Sequence, residues 1–165
     1  MIQLTPARIE HKDDCVEIMN SALSEGKNGH QEILEGIDAE EWFKSLHSNS
    51  LNLVVATKND RVTAWASLTE YREGRKAFLD AQEITFYVHP DFQRKGLATS
   101  LVDYLEDEAR QKGIQNLIAI LLGDNFPSIE LLLSKGYEEW GRMPGVANTV
   151  DQRVDHLYFG RCIKN

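Results

Sequence analysis

VHPDFQRKGLATS (residues 88–100) is the stretch on which the reading of this chain turns. The apolar run 84–88 leads into His89-Pro90 and a short polar loop. Gln93-Arg94-Lys95-Gly96-Leu97-Ala98 then opens an amphipathic segment. A strand that passes through a glycine-bearing turn into a helix start makes an anion cradle. The first backbone N–H groups of a helix have no intrahelical partner, and the helix dipole adds positive potential there. Gly96 has no side chain to keep a ligand from the backbone. Leu97 and Ala98 keep the next turn compact, and Arg94 and Lys95 add formal charge. The outline is that of a pyrophosphate site. It lacks both the G-x-x-x-x-G-K-[ST] of a P-loop and the G-x-G-x-x-G of a dinucleotide-binding turn.

Working outward, hydrophobic periodicity predicts strands over 7–10, 51–57, 61–68, 81–88, 117–122, 137–142 and 154–163. Helices are expected from Asp13, from Asp38, over 96–112, and from Asn125 or Ser128 to Lys135. Lys58-Asn59-Asp60 reads as a hairpin turn, 26–29 (GKNG) as a break, 72–76 (REGRK) as a basic loop and 143–152 as irregular. The apolar run 117–122 (LIAILL) suits a central buried strand. Alternation of helix and strand in the middle implies parallel pairing, and the flanking hairpins imply antiparallel pairing. The expected class is therefore α/β, a mixed sheet with helices on both faces.

Length and composition narrow the options. With 165 residues the chain suits one domain, 1–165, with a real core. A formal net charge of −8 argues against nucleic acid as the main partner, because phosphate backbones require a basic face. No apolar run reaches membrane-spanning length, and the start MIQLTPARIEH lacks a signal pattern, so a cytoplasmic protein with no membrane partner is expected. Cys15 and Cys162 read as buried free thiols, and the five histidines form no metal-ligand cluster with them, so no metal is expected.

Q-R-K-G-L-A after a strand ending V-H-P resembles the acyl-CoA loop of the GNAT N-acetyltransferases, Q/R-x-x-G-x-G/A, with Ala98 at the last position. GDNFPSIELLLSKGY (123–137) resembles that family's second cofactor segment, through Asn125, Ser128, Gly136 and Tyr137. Within the family the chain is similar to the phosphinothricin-type amino-acid N-acetyltransferases. It shares their R-I-E opening, an E-x-W-F segment at 40–43, E-x-T-x-Y-V at 83–88 and G-R-M at 141–143. The resemblance implies the GNAT acyl-CoA N-acyltransferase fold, acetyl-CoA as co-substrate, and transfer to the primary amine of a small molecule such as an amino acid or analogue. It places the diphosphate on Gln93, Arg94, Lys95, Gly96, Leu97, Ala98, Thr99 and Ser100. The pantetheine arm falls to the strand edge around Phe86, Tyr87 and Val88, with Asn125 and Ser128, and a backbone N–H of Val88 or Tyr87 would meet the thioester carbonyl. Dimers are frequent in the family, so the resemblance leaves a homodimer open, although no exposed apolar stripe in the sequence marks one.

Glu83 sits in an otherwise apolar strand, where a carboxylate must face either a cavity or a partner such as Arg72 or Arg75. Burial would raise its pKa toward the range useful for accepting an amine proton, and the resemblance puts the family's catalytic glutamate here. Arg72 and Arg75 are candidates for holding an acidic group on the acceptor, or else form a solvated loop; Tyr71 could shape the acceptor pocket. Trp65 reads as core before pocket. A tyrosine common in the family as acid for the CoA thiolate is replaced by Leu132. Departures at 20–37 and 147–153 leave the acceptor open. Two other readings keep the cofactor: an acyl-CoA sensor without transfer, and a peptide or protein N-terminal acetyltransferase.

Overall fold

A computed structural model describes residues 2–25, 32–149 and 151–163; the break expected at 26–29 lies outside the described residues. The strands are β1 (Gln3–Pro6), β2 (Ser50–Lys58), β3 (Arg61–Glu70), β4 (Ala81–Val88), β5 (Asn116–Leu122), β6 (Glu138–Asn148) and β7 (Arg153–Cys162). Among the described residues they form one sheet in the order β1-β2-β3-β4-β5-β7-β6. Four α-helices accompany them: α1 (Lys12–Ser24), α2 (Gly36–Asn49), α3 (Leu97–Gln111) and α4 (Phe126–Ser134). None of these helices is long and apolar enough to cross a membrane.

The β2–β3 hairpin closes on Asn59 and Asp60, at φ +50° and +61°. These are the left-handed conformations of a turn that matches strand twist, and Asn and Asp tolerate them well. All neighbouring strands run antiparallel except β4 and β5, which are parallel. That parallel ladder is short. It holds Ala81↔Asn116, Gln82↔Leu117 and Glu83↔Ile118, and then stops while both strands continue. On its other side β4 stays paired with β3 as far as Ala64↔Val88, and β5 stays paired with β7 as far as Leu122↔His156.

Alternation along the strands sends side chains to two cores. On one face α1 and α2 bury Cys15, Ile18 and Phe43 against Val55 and Trp65. On the other, α3 buries Leu101, Leu105 and Ala109 against Ala66, Leu117 and Phe159, with Leu132 of α4 in the same cluster. α3 is also fixed by charge. Glu106, only 3% exposed on its buried face, meets Arg161 of β7 at 2.7 Å and Arg110 at 3.5 Å, and the Arg161 guanidinium lies over the Tyr137 ring.

Several expected boundaries move. The first strand is Gln3–Pro6 rather than 7–10; Ile9–His11 is a 3₁₀ turn, and Ile9 is 68% exposed. His11, not Asp13, precedes α1, and α2 begins at Gly36, ahead of Asp38. Gly96 and Lys112 are the caps of α3. The stretch expected to be irregular from 143 is strand as far as Asn148, where register shifts beside Gly141 and before Ala147 hide the alternation. Cys162 is exposed rather than buried, because it closes β7 at the sheet end.

Arg161→Leu is expected to destabilise the protein by about 3–5 kcal/mol in urea unfolding, since it leaves the buried Glu106 carboxylate with only its longer contact. The double variant Glu106→Leu/Arg161→Leu should lose less than the single one, because no charge is then stranded.

Candidate active site

Where β4 and β5 part, an inner cavity of about 350 Å³ opens. Its polar wall is Glu83, Thr85 and Tyr87 from β4, Asn125 and Ser128 at the start of α4, and His156 from β7; Ile120, Leu122 and Leu132 line the apolar side. A second cavity of about 570 Å³ runs along the start of α3, past Val88, Gln93, Arg94, Gly96, Leu97, Ala98 and Thr99. Phe86, Tyr87, Asn125 and Ser128 line both, so the two form one cleft that crosses the sheet at the split.

The mouth of the outer cavity is set by backbone shape. Arg94 holds φ +58°, which non-glycine residues rarely adopt, and Gly96 holds φ +79° as the N-cap of α3. Nothing lies within 4 Å of where a Cβ on Gly96 would sit, so the cradle is open over the helix start. His89 anchors this loop to the body. Its Nδ1 accepts from the Asp91 N–H at 3.2 Å, which puts the ring proton on Nε2, facing Glu17 at 3.4 Å. Glu17 is in turn gripped by Arg61 at 2.7 Å, and the hydrogen bond from Arg61, with that from His89 behind it, holds its carboxyl below the usual range.

Glu83 is half-buried and, among the described residues, forms no ion pair; the alternative partners Arg72 and Arg75 do not reach it. Burial alone raises its carboxyl above the ordinary carboxylate range. The Tyr87 phenol is pushed up to about 12, first by burial and then by the Glu83 charge. Its ring lies 4.9 Å from that of Trp65, which is 1% exposed and belongs to the core. Asn125 caps α4: its side-chain oxygen accepts from the Ser128 N–H at 3.4 Å, which leaves the amide NH₂ free to donate into the cleft.

Not every residue singled out in the sequence comes to the cleft. Lys95 is turned back to the Asp91 carbonyl at 2.7 Å, and the Ser100 hydroxyl bonds the Gly96 carbonyl. Tyr71, Arg72 and Arg75 line neither cavity; the Arg72 guanidinium lies over the Tyr71 ring on the exposed loop. Neither cysteine lines the cleft, and burial pushes the Cys15 thiol up to about 12. Leu132, 1% exposed, offers no proton. Conversely, sequence reading missed Thr85 and His156 in the inner cavity, and Ala22 and Glu25 at the outer one. Alternation puts His156 on one face of its strand, but nothing local shows that β7 lies beside β5.

The Acetyltransferase (GNAT) family model matches residues 13–137. The chain is 33% identical over 156 residues to the Bacillus subtilis (strain 168) protein named "Putative phosphinothricin acetyltransferase YwnH", covering 92% of this chain and 94% of that one. It is 30% identical over 152 residues to the L-amino acid N-acyltransferase MnaT of Escherichia coli (strain K12), with 90% and 88% covered. Among solved structures, yncA from Salmonella typhimurium with its cofactor acetyl-CoA superposes with a TM-score of 0.89 at 25% identity, over 99% of this chain and 95% of that one. The chain belongs to the GNAT acetyltransferase family and is an N-acetyltransferase that uses acetyl-CoA.

Proposed function

We propose that the enzyme acetylates the primary amine of a small amino acid or amino-acid analogue, by direct attack within a complex that holds both substrates. The observation that carries this reading is the continuous cleft, with a cradle over Gly96 at one end and the half-buried Glu83 at the other. The names of the relatives, one for phosphinothricin and one for L-amino acids, support the acceptor class. They favour it over a peptide terminus, and an enzyme over a sensor. The absence of either cysteine from the cleft favours direct attack over a covalent acyl-enzyme.

Each residue in this reading has a task its position allows. The helix start at Gly96 and Leu97, with the Arg94 side of the loop, holds the diphosphate. Lys95 and Ser100 then stand behind the cradle and contribute little beyond loop shape. The backbone of β4 at Phe86, Tyr87 and Val88 faces the gap and pairs with the pantetheine amides as a strand would, while the Asn125 amide donates to it and the start of α4 at Ser128 closes that side. A backbone N–H of Val88 or Tyr87 donates to the thioester oxygen as negative charge grows there. Acetyl-CoA supplies the acyl group as a thioester. Glu83 takes the proton of the attacking amine through water, as its raised pKa suits. The thiolate, with a thiol pKa near ~8.5, leaves without a dedicated acid, in keeping with Leu132.

Thiol release across a panel of amino acids, their sulfoximine and phosphinic analogues, polyamines and peptides tests the acceptor class; turnover confined to peptides or polyamines would overturn it. Glu83→Gln should lower kcat by about two to four orders of magnitude with little change in the KM for acetyl-CoA. Because the folded pKa of Glu83 is raised, the base form appears only as pH climbs through that higher value. The acid limb of kcat/KM should therefore lie above the ordinary carboxylate range. The same sign governs stability. The folded state binds the proton more tightly, so stability falls as pH rises from the unfolded to the folded pKa and stays lower beyond. Glu83→Gln removes that cost and should raise the melting temperature at neutral pH.

Gly96→Val should act on the other half of the reaction. A β-branched residue at φ +79° costs about 1–3 kcal/mol, and its side chain fills the cradle. A rise in the acetyl-CoA dissociation constant by calorimetry is expected; unaltered affinity would place the diphosphate elsewhere.

A further inference from the structure

The inner cavity poses a question that the loop before β4 does not answer. An amino acid brings a carboxylate within a few bonds of its amine, yet Arg72 and Arg75 line neither cavity. Among the described residues, the wall from Glu83 to His156 contains no arginine or lysine, and His156 is its one imidazole.

The position of His156 follows from strand register. The β4–β5 ladder ends at Glu83↔Ile118, and Leu122, four residues further along β5, is opposite His156 of β7. An even separation keeps Ile118 and Leu122 on one face, so Glu83 and His156 share that face too. Four residues are about 13 Å along the strands, and two strand spacings are roughly 10 Å across. After the reach of both side chains is subtracted, the space suits a molecule of amino-acid size with a bridging water. The neighbours of the imidazole leave it available: its ring contact is Tyr158 at 5.1 Å, edge to face, and its cross-strand partners are Leu122 and Met143. The adjacent Asp155 is engaged with Arg142 and the Gly145 N–H.

We propose that His156 is the specificity-determining residue that holds the acceptor's α-carboxylate, across the inner cavity from Glu83. This rests on the amino-acid reading given above. His156 donates a ring N–H to the carboxylate, and so turns the amine toward the thioester and the water that leads to Glu83. Its role is binding, with no bond made or broken at the ring.

The test compares an amino acid with its own carboxamide, by thiol release, in the wild-type enzyme and in His156→Leu and His156→Gln. The wild type should prefer the acid, and His156→Leu should cut the acid-over-amide ratio of kcat/KM about tenfold, mostly through KM for the acid, the size expected for a charge-assisted hydrogen bond. His156→Gln, which can still donate, should retain part of the preference. The KM for acetyl-CoA reports whether the cofactor side stays intact. Equal losses for acid and amide would overturn the role of His156 while leaving amino-acid acetylation standing. A wild-type enzyme that releases thiol with neither compound of any such pair would overturn the amino-acid reading, and this proposal with it.

Discussion

The cleft through the sheet depends on a ladder of three residue pairs. β4 and β5 pair from Ala81 to Glu83 and then separate, while each keeps its other neighbour to the end. The sheet is therefore two half-sheets joined at one short seam. Had the pairing continued, the backbone of β4 beyond Glu83 would be spent on β5 and there would be no cleft. Had the seam been absent, nothing would hold the halves at a fixed distance. The seam also sets the depth of the inner cavity, since Glu83 lies in its last pair.

The two ends of the cleft are held in different ways. The outer end is built from a helix start whose position is over-determined. α3 is packed by Leu101, Leu105 and Ala109, and locked to β7 through Glu106 and Arg161, while its leading loop is tied down by His89 and Glu17. The inner end is built from side chains on β4, β5 and β7 and from the start of α4. Asn20 of α1 holds Leu34 with two hydrogen bonds of 2.9 Å. A rigid cradle with a side-chain-defined pocket lets one family keep its co-substrate and change its acceptor.

How much of this was legible in the sequence follows from how local each signal is. The order of elements and the bounds of β4 could be read from periodicity, and Gly96 from its place between an apolar strand and an amphipathic helix. Glu83 stood out because a carboxylate in an apolar strand needs a reason. The first strand was misplaced because an edge strand buries little, and ARIE alternates as well as QLTP does. The end of β6 was lost because its register shifts break the period of two. Arg72, Arg75 and Tyr71 were drawn to the pocket by proximity along the chain to Glu83, whereas the loop turns outward. His156 was invisible for the opposite reason. It lies far along the chain from the motifs and reaches the cavity only through the order β4-β5-β7.

The split sheet also has a consequence for the life of the protein. Outer strand edges can be blunted with charge or proline, as β1 is at Pro6. The inner edges at Ile84, Phe86 and Val88, and at Ile120 to Leu122, are apolar because the cleft requires it, and so carry none of these safeguards. Ligand that occupies the gap shields them, and it adds stability in proportion to the logarithm of its concentration over its dissociation constant. Protein with the gap empty should therefore unfold and be cleaved sooner than protein that holds ligand there.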